Sequence, residues 1–388
     1  MRQVAVVVLA GFLGSGKTTL LNHLLHSSRG SRIGAVVNDF GAIEIDAMAV
    51  AGQLGDSTVS LGNGCLCCAV DVSELDAYLE RLTRPSARID IIVIEASGLA
   101  EPQELVRMVL ASENPRVVYG GLVEVVDAVE FDATRERHPE LDRHLGIADL
   151  VVVNKADRVS PVDLDRVLGL VGTLVDRAAV VTAAYGRIDP ELLFDRKAVE
   201  ERVGQLSFDD LVAVDESREH DHRPACPDGA HAESAHCDGA QPHFHPRPHL
   251  HSAYTSVAFR AAAPLHPRRL MDLLDSRPMG LYRIKGYVDF GAADPRNRYA
   301  VHAVGRFLRF YPEPWGRDEE RMTQLVLIGT GVDETGLRKE LDACQVLADE
   351  DTPEEHSMWG VLRYVPDHER ADEIGDTADG IPDPLQAS

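Results

Sequence analysis

Residues 11–18 read G-F-L-G-S-G-K-T, which fits the phosphate-loop pattern G-x-x-x-x-G-K-[ST]. A short apolar run, Val4–Leu9, comes before this loop, and a helical pattern, Thr18–His26, comes after it. Such glycines let backbone N–H groups turn toward phosphate oxygens, and the N-terminus of the following helix adds positive potential. The chain is therefore expected to begin with a nucleotide-binding α/β domain.

The loop also predicts individual roles. Lys17 can reach the β- and γ-phosphates of a nucleotide, and the hydroxyl of Thr18 can ligate Mg²⁺. Further nucleotide contacts are predicted at Gly11, Gly14, Ser15, Gly16 and Thr19.

Short apolar runs alternate with amphipathic stretches over about the first 200 residues. The runs are Val4–Leu9, Ile33–Asn38, Ile89–Glu95, Gly121–Val126 and Leu150–Asn154, and the stretches are Thr18–His26, Ser73–Leu82 and Glu104–Leu110. Runs rich in β-branched residues are typical of parallel strands that are buried on both faces. This alternation predicts a doubly wound, mostly parallel sheet of the P-loop NTPase type.

The sequence N-K-A-D at the end of the last of these runs indicates the base of the nucleotide. The carboxylate of Asp157 can accept hydrogen bonds from guanine N1 and from its exocyclic amine, and adenine lacks both donors. Asn154 and Lys155 are expected to shape the same pocket. The motif favours GTP over ATP.

Two more segments follow predicted strands. Glu95 ends the run Ile89–Glu95 and is expected to act on Mg²⁺ directly or through water, and Gly98 is expected to sense the γ-phosphate. Asp39, after the second run, is expected to approach the nucleotide or a metal; a turn with an Asx cap explains it nearly as well.

Residues 65–68 read C-L-C-C and follow two glycines. Thiolates are soft ligands that suit Zn²⁺ and Cu⁺, and to a lesser degree Co²⁺. Because Cys65, Cys67 and Cys68 supply only three sulfurs, a tetrahedral site would keep one open position, which suits a carrier of the ion.

Composition changes near residue 215, and residues 220–251 contain eight of the sixteen histidines. Weak metal binding is expected there, at His243, His245, His249 and His251, although a polar linker without that role is the alternative. We predict a GTPase domain at 1–205, a flexible His-rich linker at 206–252, a smaller α+β domain at 253–365 and an acidic disordered tail at 366–388. Expected strands of the smaller domain are Ser256–Arg260, Leu281–Phe290, Ala300–Phe310 and Gln324–Gly329, and expected helices are His266–Leu274 and Glu334–Ala343.

The formal net charge of −24 argues against binding to nucleic acid or to an anionic membrane surface. The apolar start of the chain resembles a signal peptide only briefly, because it leads directly into the phosphate loop. A cytoplasmic protein is expected.

Together, the motifs G-F-L-G-S-G-K-T-T, N-D-F-G, G-N-G-C-L-C-C, E-A-S-G-L-A-E-P and N-K-A-D resemble those of the CobW-type GTPases. Residues 283–286, Trp315 and residues 327–329 are similar to the C-terminal domain of that family. The resemblance implies a metallochaperone in which GTP and a divalent metal bind cooperatively, Glu95 is the Walker B acid, and Cys65, Cys67 and Cys68 hold the metal. The family often has N-E-F-G followed by a further acid, whereas here the acid is Asp39 and the residue after the glycine is Ala42.

The resulting hypothesis is a slow GTPase that delivers a divalent metal, most simply zinc, to a client protein. A cobalt-handling GTPase of cobalamin synthesis shares every motif and stays an alternative. A His-rich metal buffer with a vestigial nucleotide site is a third reading, and a homodimer is left open.

Overall fold

The computed structural model describes residues 3–27, 31–37, 58–60, 72–98, 100–194, 254–317, 319–346, 353 and 356–366. The described residues belong to one compact unit. The predicted linker at 206–252 and most of the predicted tail lie outside the described residues. None of the helices described is long and apolar enough to cross a membrane.

The first sheet has seven strands. They are β1 (Val4–Ala10), β2 (Ile33–Val37), β3 (Thr58–Ser60), β4 (Ile91–Glu95), β5 (Val117–Asp127), β6 (Leu150–Asn154) and β7 (Ala179–Thr182). Their order is β3-β2-β4-β1-β5-β6-β7, and every pairing is parallel. The predicted doubly wound α/β domain is thereby confirmed.

Helices connect these strands. They are α1 (Lys17–His26), α2 (Val72–Thr83), α3 (Pro102–Leu110), α4 (Phe131–Arg137), α5 (Glu140–Ile147) and α6 (Pro161–Leu174). The strands read as continuous apolar runs because both faces of the sheet are covered, and every residue of β2, β4 and β6 is buried. Since all strands run in one direction, their carboxyl ends meet at one edge, and this edge carries the phosphate loop, Glu95 and Asn154.

The second sheet is antiparallel. It consists of β8 (Thr255–Ala261), β9 (Leu281–Asp289), β10 (Asn297–Val304), β11 (Phe307–Pro314) and β12 (Thr323–Gly329), in the order β11-β10-β9-β12-β8. Its helices are α7 (Pro267–Asp275), α8 (Glu334–Ala343) and α9 (Trp359–Leu362). The predicted smaller α+β domain is thus present, but the single strand predicted over Ala300–Phe310 is wrong. Gly305 has φ +52°, and the chain turns there into the β10–β11 hairpin.

The two sheets share an interior. Tyr282, Val304 and Ile328 of the second sheet pack into the hydrophobic core that includes β1 and α1 of the first. The His302 Nε2–H donates to the Tyr119 carbonyl oxygen over 2.8 Å. Burial lowers the pKa of His302 to about 4, so this ring is neutral at physiological pH.

A buried carboxylate supports the same junction from the first sheet. Asp149 accepts hydrogen bonds from the Tyr119 hydroxyl over 2.6 Å and from the Leu122 N–H over 2.9 Å. Burial raises the pKa of Asp149 to about 6, and the two donors oppose that rise.

Tyr119→Phe is expected to lower the free energy of unfolding by about 1–3 kcal/mol, because it removes one donor from a buried carboxylate. Urea unfolding followed by circular dichroism measures the change. Tyr185→Phe is the matched control, since Tyr185 is exposed. Equal unfolding midpoints for the wild type and Tyr119→Phe would contradict this account of the junction.

Candidate active site

The phosphate loop holds a folded-back lysine. The Lys17 Nζ donates to the carbonyl oxygens of Gly11 over 2.8 Å and Phe12 over 3.3 Å, and its side chain is buried. Gly11, Gly14 and Gly16 all have positive φ. The loop therefore curls around its own ammonium group, in the position from which the lysine can reach a phosphate.

Gly16 shows why this loop needs glycine. It is the N-cap residue of α1 and has φ +103°, and a Cβ there would collide with the side-chain amide of Asn154. Because glycine supplies no side-chain cap, the first N–H groups of α1 remain available to an anion.

Thr18 and Glu95 lie together at the sheet edge. The Thr18 Oγ1 donates to the Glu95 Oε1 over 2.7 Å, and Glu95 is only 4% exposed at the end of β4. A hydroxyl oxygen beside a carboxylate is the kind of hard-oxygen pair that Mg²⁺ uses in nucleotide sites. The donor set therefore fits Mg²⁺.

Beyond Glu95, the chain passes close against the phosphate loop. A Cβ built on Gly98 would lie 2.8 Å from the Leu13 N and 2.9 Å from the Leu13 Cα, so only glycine allows this approach. Gly98 therefore touches the loop that receives the phosphates. Leu13 itself is 87% exposed.

Asn154 joins two loops. Its Nδ2 donates to the Ser15 carbonyl oxygen over 2.9 Å, and its Oδ1 accepts from the Gly186 N–H over 2.9 Å. Asn154 is 2% exposed, so both bonds lie in the interior. The predicted pocket residue is therefore a brace between the phosphate loop and the turn after β7.

Lys155 and Asp157 come after Asn154 in the N-K-A-D motif. Lys155 has φ +59°, and its Nζ pairs with the Asp127 Oδ2 over 2.6 Å. Asp157 is exposed in a 3₁₀ turn, Ala156–Arg158, which leaves its carboxylate accessible to a base. A cavity of about 270 Å³ borders this region. Its lining includes Phe12, Leu13, Gly14, Ser15, Asp127 and Lys155.

A set of contacts that the sequence did not predict connects the loop to α5. The Phe12 ring stacks on His144 with centroids 5.8 Å apart, and the pKa of His144 is lowered by burial. His144 Nε2 lies 3.5 Å from the Glu101 Oε2, and Arg143 pairs with the same carboxylate over 2.7 Å. In the sequence, only the position of Glu101 within the motif E-A-S-G-L-A-E-P pointed to these contacts.

The predicted ligands of the transported metal lie outside the described residues. They are Cys65, Cys67, Cys68, His243, His245, His249 and His251. Asp39, which is predicted to act near the nucleotide or a metal, also lies outside them. Within the described ranges, no group of three or more His, Cys, Asp or Glu side chains could hold a metal ion. In the chain, the cysteine segment follows β3 and Asp39 follows β2. The carboxyl ends of these two strands lie at the same edge of the sheet as the phosphate loop.

Comparison with known proteins adds family membership. Residues 5–182 match the family described as CobW/HypB/UreG, nucleotide-binding domain, and residues 254–345 match the cobalamin synthesis protein cobW C-terminal domain. A zinc chaperone CobW from Pseudomonas aeruginosa is 30% identical over 381 residues, covering 88% of this chain and 91% of that protein. The chain belongs to the CobW family.

Other relatives of this CobW-family chain carry similar names. A zinc chaperone CobW from a Sinorhizobium species is 28% identical over 376 residues, covering 88% of this chain and 97% of that protein. A zinc-regulated GTPase metalloprotein activator 1 from Schizosaccharomyces pombe is 32% identical over 194 residues, or 48% of this chain and 47% of its own. Among solved structures, the Zn(II)-bound YjiA GTPase from Escherichia coli aligns at 24% identity with TM-score 0.40, covering 89% of this chain and all of that one.

Asp157→Ala in this CobW-family chain is expected to weaken GTP binding by roughly 10- to 100-fold and to leave ATP binding unchanged, because only guanine donates to that carboxylate. Fluorescent nucleotide analogues measure both affinities. Asp165→Ala removes an exposed acid from α6 and serves as the control. An unchanged preference for GTP over ATP would show that Asp157 does not read the base.

Proposed function

We propose that this protein is a GTP-hydrolysing metallochaperone that binds zinc at Cys65, Cys67 and Cys68 and delivers it to a client protein in the cytoplasm. One observation carries the proposal. The Thr18–Glu95 pair, whose carboxylate is buried, lies at the carboxyl edge of the parallel sheet, and the cysteine segment comes after β3 in the chain. Because β3 pairs parallel with β2, its last residue, Ser60, lies at this same edge, and the chain continues from there toward the cysteines.

The nucleotide steps follow from the loop. Lys17 exchanges the carbonyl oxygens of Gly11 and Phe12 for the β- and γ-phosphates, while the N-terminal N–H groups of α1 bind phosphate oxygens. Thr18 and Glu95 would hold Mg²⁺. When bound, Mg²⁺ neutralises the negative charge that develops as the γ-phosphoryl group leaves. Asp157 accepts the two guanine donors.

The nucleotide state then reaches the metal loop through segments that touch the phosphate loop. Gly98 lies against Leu13, and Glu101 is tied to α5 through Arg143. In this proposal, a bound γ-phosphate orders two segments, the one at Gly98 and the one after β2 that contains Asp39. Hydrolysis of GTP removes the γ-phosphate, and both segments are released. The cysteine site loosens in consequence and the ion passes to the client.

The chemistry of the ligands and the names of the relatives both favour zinc. Three cysteine thiolates suit Zn²⁺ better than Co²⁺, and two full-length relatives are named zinc chaperones. The sequence predicts no arginine finger in this chain, so we propose slow intrinsic turnover that the client accelerates. A homodimer is compatible with this scheme, and the histidines at 243–251 would collect metal weakly.

Replacing Cys65 and Cys67 together by serine is expected to weaken zinc binding by at least about 100-fold, because hydroxyl groups replace two soft ligands. Competition with a chelating dye in the presence of a non-hydrolysable GTP analogue measures the affinity. Cys344→Ser is the matched control, since Cys344 is buried in the second domain and bonded to the Glu340 carbonyl.

Three outcomes would contradict the proposal. Unchanged zinc affinity in the double variant would show that these cysteines do not bind the zinc. Loss of metal binding only when residues 220–251 are deleted would favour a metal buffer. Tighter retention of Co²⁺ than of Zn²⁺ with the GTP analogue bound would favour cobalt handling.

A further inference from the structure

An acidic residue sits inside the sheet directly beneath the phosphate loop. Glu124 is in β5, in the middle of an otherwise apolar run, and its side chain is 0% exposed. Its register partners are Ala10 on β1 and Val151 on β6, both apolar. A carboxyl group is rarely buried so completely without a function or a partner.

Glu124 has no hydrogen bond within the part of the chain that the structure describes. Both of its carboxylate oxygens are buried and lack a partner there. Burial raises the pKa of Glu124 to about 8, and the positive charge of Lys17 partly opposes this rise. An ordinary structural glutamate would be satisfied by a donor, so this one calls for another explanation.

The neighbouring charge identifies what Glu124 acts on. Lys17 is the cation whose field reaches it. The ammonium of Lys17 is bonded to the carbonyl oxygens of Gly11 and Phe12, the two residues that directly follow Ala10 at the end of β1. Glu124 therefore lies beside the strand end that presents Lys17 to a phosphate.

We propose that Glu124 is a positioning residue for Lys17 and the proton-binding group of the nucleotide site. Neutral Glu124 does not compete with the phosphates for the ammonium, whereas ionised Glu124 attracts the ammonium and repels the triphosphate. The site would then take up a proton as the nucleotide binds. This inference rests on the proposed GTP site and specifies how its phosphate-binding charge is regulated.

Other ionisable groups around β5 are engaged elsewhere. On the flanking strands and loops, Glu95 accepts from Thr18, and Asp127 is paired with Lys155. On the helical side, Glu101 is paired with Arg143, and burial keeps the pKa of His144 below its usual value, so that ring is neutral throughout the alkaline range.

The sign of the pH dependence follows from linkage. A triphosphate brings negative charge, so it raises the pKa of Glu124 above its value of about 8 in the empty protein. Below pH 8 Glu124 is protonated in both states, and the affinity does not depend on it. Above pH 8 the empty site loses the proton first, and affinity falls by up to about tenfold for each pH unit.

The test is the dissociation constant of a non-hydrolysable GTP analogue with Mg²⁺, measured between pH 6.5 and about pH 9.5. Relative to Glu124→Gln, the wild type is expected to bind about tenfold more weakly at pH 9 than at pH 7. Glu124→Gln keeps the shape of the protonated side chain but cannot ionise. Ionisation of the nucleotide itself affects both proteins equally and cancels in the ratio.

A control variant, a second substitution of Glu124 and a calorimetric measurement complete the test. Glu136→Gln removes an exposed acid from α4 and is expected to keep the wild-type pH profile. If Glu124→Gln does not fold, Glu124→Met supplies a second group that cannot ionise. Calorimetry of the wild type near pH 8.5, in buffers of different ionisation enthalpy, is expected to show proton uptake on binding.

Parallel pH profiles of the wild type and Glu124→Gln would overturn the inference while leaving the GTP site intact. Absence of proton uptake by a wild type that binds the analogue would do the same. A wild type that binds no GTP analogue at neutral pH would overturn both the inference and the proposed function.

Discussion

The hydrogen bond between Thr18 and Glu95 joins the first turn of α1 to the end of β4, and the nucleotide site is organised around it. A hydrogen bond to a buried carboxylate contributes about 1.5–3 kcal/mol, and here it also brings together the two oxygens that suit Mg²⁺. The chain that continues from Glu95 reaches Gly98 against Leu13 and then Glu101 against Arg143. In the proposed cycle, a change in what Thr18 and Glu95 bind would act first on this segment.

The second domain is packed directly against the first, because the two sheets share an interior. Leu20 and Leu21 of α1 belong to the same hydrophobic cluster as Tyr282 and Ile328 of the second sheet. Close-packed interiors have low compressibility and transmit strain. A shift of α1 on nucleotide binding would accordingly also displace side chains of the second sheet. The second domain could therefore take part in the cycle without binding the nucleotide.

The sequence predicted the phosphate loop and five of the seven strands described in the first sheet, because these depend on local pattern, but it did not predict the short strands β3 and β7. Apolar β-branched runs predict strands buried on both faces, and G-F-L-G-S-G-K-T permits few backbone conformations. Contacts between distant residues carry no such local signature, which is why the two bonds of Asn154 and the stacking of Phe12 on His144 were not foreseen. The β10–β11 hairpin was missed because its turn has only Gly305 and Arg306 between two apolar runs. The sequence shows Glu124 as an acid inside the run Gly121–Val126, but its proposed role could not be predicted because it acts on Lys17, which is distant in sequence.

The proposed cycle requires that breaking the γ-phosphate bond loosens the metal site. A single-turnover experiment with zinc-loaded protein and GTP, in which phosphate release and zinc transfer to a chelating dye are recorded together, tests this claim directly. Zinc transfer is predicted to follow phosphate release at the same rate, and to be slow when a non-hydrolysable analogue replaces GTP. The claim would be contradicted if zinc were transferred at the same rate in three conditions: with GTP, with the analogue and without nucleotide.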